Sequence, residues 1–60
     1  MLLHEFYGQD DYQDRKSMVF KEQDGYLILM LEDKTIFMDT VAHSEVYAEN
    51  CAENWVLGVI

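Results

Sequence analysis

A chain of 60 residues, half of them apolar and 13% aromatic, makes one small domain at most, near the lower size limit for a hydrophobic core. That composition excludes a disordered acidic tail, and a single cysteine, Cys51, excludes an intrachain disulfide. Twelve acidic against four basic residues give a formal net charge of −8, a field that repels phosphate backbones and anionic lipid, so neither direct nucleic-acid binding nor membrane binding is expected.

Residues 2–7 are apolar with His4 and Glu5 interposed and have the composition of an extra strand or of a segment laid over the core. The opening lacks the basic start and long apolar run of an export signal, and the lone thiol suits a reducing compartment, so a cytoplasmic location is expected. Residues 8–16 are polar and predict a loop, with Tyr12 as its one large apolar group.

Residues 17–22 alternate as a strand, Met18 and Phe20 on one face and Val19 and Lys21 on the other. Asp24-Gly25 marks a turn. Residues 25–32 follow, with Tyr26, Ile28 and Met30 on one face and Leu27, Leu29 and Leu31 on the other, the pattern of a central strand covered on both sides. Glu32-Asp33-Lys34 makes a second turn, and residues 34–39 a third strand. Thr40 then suits a helix N-cap, and residues 41–54 have helical spacing. Val41, Ala48, Cys51, Ala52 and Trp55 form an apolar stripe, while Glu45, Glu49 and Glu53 form an acidic one. Residues 55–60 are too few for a second helix and have the composition of a further strand or an apolar arm.

The expected fold is therefore α+β, a three-stranded antiparallel meander with one helix packed on one face. One helix covers one face only. The second apolar face of residues 26–31 must meet a terminus or another chain, and a second copy is a simple answer, so a homodimer is expected.

No residue pattern points to catalysis, a metal or a cofactor. Asp10, Asp11 and Asp14 cluster in the loop, but neither register fits a calcium loop: the twelfth position from Asp10 is Lys21, and the register from Asp11 places Arg15 and Lys16 at the fifth and sixth. His4, His43 and Cys51 lack the close pairs of a zinc site, and a helix running from 41 would hold His43 and Cys51 about two turns apart. The same separation removes a Cys–His nucleophile pair. Gly8, Gly25 and Gly58 are too scattered for a phosphate loop.

The remaining candidates are contact residues. Glu45, Glu49 and Glu53, with charges about 6 Å apart along a helix axis, could imitate a nucleic-acid backbone and fill a basic cleft; the plain alternative is a solvated helix face. Tyr12, Tyr26 and Trp55, with Tyr47, are candidate interface aromatics, the alternative being core packing, which Trp55's place at the end of the apolar stripe favours.

In its general character the whole chain resembles small phage-encoded accessory proteins: short, acidic and free of catalytic motifs. That resemblance implies binding to a host protein in the host cytoplasm; it rests on no motif and assigns no residue a role. The sequence as a whole predicts a non-enzymatic protein-binding module that docks on a larger protein, with a homo-oligomeric structural protein and an acidic nucleic-acid mimic as alternatives.

Overall fold

The computed structural model describes residues 1–59. Four strands, β1 (Leu2–Tyr7), β2 (Arg15–Glu22), β3 (Gly25–Glu32) and β4 (Thr35–Ala42), precede one helix, α1 (Glu45–Val56), and a short 3₁₀ turn at Asp10–Tyr12 joins β1 to β2. The strands form a single antiparallel sheet in chain order, β1-β2-β3-β4, so each strand hydrogen-bonds its sequence neighbour. The class is α+β, as expected.

The hairpins follow from local chemistry. Glu22 pairs with Gly25, leaving Gln23 and Asp24 as the turn, so Gly25 opens β3 rather than forming the turn itself. Glycine is needed there because a Cβ would come within 2.6 Å of the Ala42 carbonyl oxygen. Glu32 pairs with Thr35 across Asp33 and Lys34. Both turn residues have positive φ, 54° and 67°, the handedness that matches the twist of a two-residue hairpin.

Three expectations are corrected. First, β2 begins at Arg15 instead of 17, because Tyr7 and Leu31 offer Lys16 pairing partners on both sides. Second, β4 runs on to Ala42, and Thr40 is a strand residue and not a cap. Its β-branched neighbour Val41 pairs with Leu27, and Ala42 with Tyr26, so β3 supplies a ladder to the end. The cap is Ser44, whose Oγ accepts from the Tyr47 amide at 3.3 Å. Val41 consequently leaves the helical stripe and is 70% exposed, and His43 lies in the β4–α1 link instead of on the helix. Residues 2–7 form the expected extra strand, which extends the sheet edge and does not lie over its face. Third, the 55–60 segment is no strand among the described residues. Trp55 and Val56 finish α1, the Gly58 amide returns to the Trp55 carbonyl and that of Val59 to the Asn54 carbonyl, closing the helix in a Schellman motif. Gly58 takes the left-handed conformation this needs, with φ of 78°, and a Cβ there would strike the Tyr12 ring. Ile60 lies outside the described residues.

The core lies between α1 and one face of the sheet. Val19, Ile28 and Met30 meet Ala48, Ala52, Trp55 and Val56, with Phe6, Tyr26 and Cys51 at the margin. The alanines let the helix come close to the sheet over β2 and β3. At the closest approach the buried Ser17 hydroxyl donates to the Ala52 carbonyl at 2.9 Å, leaving no buried polar side-chain atom without a partner among the described residues.

Candidate functional site

Strand alternation gives the sheet two faces, and only one is covered. Opposite the helix, cross-strand pairing aligns Phe20 with Leu27 and Val41, Met18 with Leu29 and Asp39, and Lys16 with Leu31 and Ile36. The centre of this face, on β2 and β3, is Met18, Phe20, Leu27, Leu29 and Leu31, all half-buried by their neighbours alone. Its flanks are more open: Ile36 is 60% exposed and Val41 70%. No described segment of the chain lies over it.

Charge on this face is sparse: Lys16 at one end of β2, and Glu5 and Asp39 on the two edge strands. Glu5 on β1 bonds the Lys16 ammonium at 3.1 Å and accepts from the Tyr7 hydroxyl at 3.2 Å. The hydrogen bond from Lys16 holds the Glu5 carboxyl below the ordinary carboxylate range, and the same bond raises Lys16. Asp39 lies on the opposite edge strand, β4.

The acidic helix stripe is less free than its spacing implies. His4, projecting from β1 on the helix side and stacked on Phe6 at 6.0 Å, donates from Nε2 to Glu45 at 3.1 Å and stands 3.7 Å from Glu49. Two of the three carboxylates therefore tie the helix to the sheet, and only Glu53 has no ion-pair partner among the described residues. Sequence reasoning missed this contact because β1 and α1 meet only in the folded chain.

The aromatic candidates divide. Trp55 is 4% exposed and belongs to the core. Tyr12 and Trp55 sandwich the Arg15 guanidinium, with ring centroids 4.7 and 4.6 Å from Cζ. Arg15 also donates to the Trp55 carbonyl at 2.7 Å and to Glu32 at 3.1 Å, so Tyr12 is the lid of a structural arginine. Tyr26 is half-buried at the core margin under Lys21, whose ammonium lies 4.4 Å from its ring centre. Tyr47 is exposed on the helix. None of these rings lies on the helix-free face.

A solvent-open cleft of about 530 Å³ lies where the β2–β3 turn meets the β4–α1 link, bordered by Glu22, Asp24, Tyr26, Val41 and His43. Cys51 is half-buried against the core, and among the described residues no three side chains are gathered as a metal site. No described helix is long and apolar enough to cross a membrane. No protein-family model matches the chain, and neither a curated protein nor a solved structure matches it.

Proposed function

We propose that the chain is a small acidic protein-binding module without catalytic activity, which works by docking the helix-free face of its sheet onto another polypeptide. This is the mode of action implied by its likeness to phage-encoded accessory proteins. The observation that carries the reading is the uncovered apolar centre of the sheet, bordered by charge. A contiguous exposed apolar patch of more than a few hundred Å² marks an interaction site on a soluble protein. An apolar centre with a polar rim is the anatomy of a protein interface. The nucleic-acid mimic is the weaker alternative, because Glu45 and Glu49 are engaged by His4.

The test compares three tagged forms for capture of partners from the native cell, followed by affinity measurement on the purified partner. Leu29→Glu puts a charge at the centre of the face and is expected to weaken binding by tenfold or more, about 1.4 kcal/mol. The triple change of Glu45, Glu49 and Glu53 to Gln is expected to bind within about threefold of the native chain, and binding should survive half-molar salt, since screening acts on charge and not on apolar contact. The opposite pattern, a tolerant Leu29→Glu and a crippled triple variant, would establish the mimic instead.

A further inference from the structure

We infer that the resting occupant of the helix-free face is a second copy of this chain, the two sheets packing face to face into an eight-stranded sandwich with both helices outermost. This rests on the reading of that face as the docking surface and names what fills it when no larger partner is present. Docking on a target is then an exchange of partners at one surface.

Two observations select a second copy. The first is where the charge lies. The chain carries −8, so two copies repel wherever acidic groups are dense. The loop with Asp10, Asp11 and Asp14 and the two hairpin turns are unfavourable to a like partner for that reason. The helix-free face is the exception. Between the hairpin ends it holds, among the described residues, only the charges of Glu5, Lys16 and Asp39, and Glu5 and Lys16 neutralise one another. Glu5 and Asp39 are on the two edge strands, at the rim of a face-to-face contact. A basic partner would be drawn to the acidic surfaces; an equally acidic one meets little repulsion on this face.

The second is area. Four strands about 4.8 Å apart, with three rows of side chains about 6.8 Å apart, make a face of about 400 Å² in plan. Two such faces with interdigitating side chains bury about 1,000 Å², the lower bound for a specific interface. The contact is therefore small but of the size a specific interface needs. Sheets packed this way keep their strands within about 30° of one another and about 10 Å apart, a gap that Met18, Phe20, Leu27, Leu29 and Leu31 are of the size to fill.

The experiment is sedimentation equilibrium on the full chain across a concentration series, with isotope-filtered NOE spectra on mixed labelled and unlabelled protein. The mass is expected to rise from 7.1 kDa to roughly twice that in the micromolar range. Intermolecular NOEs are expected among the methyl groups of Met18, Leu27, Leu29 and Leu31. Added salt is expected to tighten the dimer, because it screens repulsion between like-charged copies. Leu29→Glu is expected to weaken it by tenfold or more, and Leu29→Thr, which keeps a strand-forming residue, serves if the glutamate prevents folding. A 7.1 kDa species at every concentration overturns the inference. So does a dimer whose NOEs join the β4 edges, since that is lateral strand pairing. A monomer whose capture of another protein still depends on Leu29 leaves the docking reading standing without the dimer. Capture indifferent to Leu29→Glu overthrows the docking reading while the mass measurement judges the dimer independently.

Discussion

Arg15 shows how one side chain can join parts of the fold distant in sequence. It lies between two rings, bonds the helix through the Trp55 carbonyl and bonds β3 through Glu32. Lysine keeps the charge but lacks the planar fork that stacks and donates in several directions at once. Arg15→Lys is expected to cost about 1–2 kcal/mol in chemical denaturation and to change Trp55 fluorescence; a cost below about 0.5 kcal/mol would show the sandwich to be incidental. The Glu5–Lys16 pair acts at the same scale but depends on pH. Glu5 is held low in the folded chain, so its contribution is present above the unfolded carboxylate value and disappears as pH falls through the lower folded one. Lys16 is held high, so its contribution is present below the unfolded lysine value and disappears as pH rises through the folded one. The stability difference between the native chain and Lys16→Met should therefore persist at neutral pH and shrink in acid below the Glu5 titration, read as denaturation midpoints at each pH.

At the level of the elements, the β3–β4 hairpin stores strain that can be removed. Asp33 and Lys34 both occupy the left-handed region, which costs a residue with a Cβ about 1–2 kcal/mol. Lys34→Gly removes that cost at one position and adds back about 0.4–1 kcal/mol of unfolded-chain entropy. A net gain of about 0.5–1 kcal/mol is expected, seen as a rise of roughly 4 °C in the thermal midpoint. The central strands were legible because alternation is a local signal: Leu27, Leu29 and Leu31 against Tyr26, Ile28 and Met30 needs no knowledge of the rest of the fold. The β4–α1 boundary was not. Thr40 and Ser44 are both hydroxyl residues ahead of a helical spacing, and Val41 fits the stripe by number. Pairing decides between them, since Tyr26 and Leu27 on β3 hold Ala42 and Val41 in the ladder. The end of the chain misled for a related reason: β-branched Val56 and Val59 suggest a strand, while the Schellman closure at Gly58 turns on a backbone conformation.

At the scale of the molecule, the imbalance between one helix and a two-faced sheet was visible in the sequence, and the helix-free face is its outcome. Which residues make that face was half visible. Leu27, Leu29 and Leu31 follow from alternation, but the neighbours that complete it, Val41 and Ile36, depend on the register of β4, including its bulge next to Phe37. The bulge turns Phe37 towards the helix, where it stacks on Trp55 at 5.7 Å. The acidic stripe was legible as a spacing, but its attachment to His4 was not, because nothing local brings residue 4 to residues 45 and 49.

The chain-order sheet has a consequence for how the molecule forms. Every strand pairs with the one just before it, and two of the three connections are two-residue turns, so loop closure is short at each step. Only α1 must find a surface built by residues well upstream. The sheet can thus zip hairpin by hairpin, with helix docking the one step of long sequence separation, and the rate should fall in the range of small mixed domains, faster than sandwiches built from non-local pairings. Trp55 is on α1, so its fluorescence in stopped-flow refolding follows the docking step. A lag between strand formation, seen by far-UV circular dichroism, and the Trp55 signal would expose an interval in which both faces of the sheet are bare.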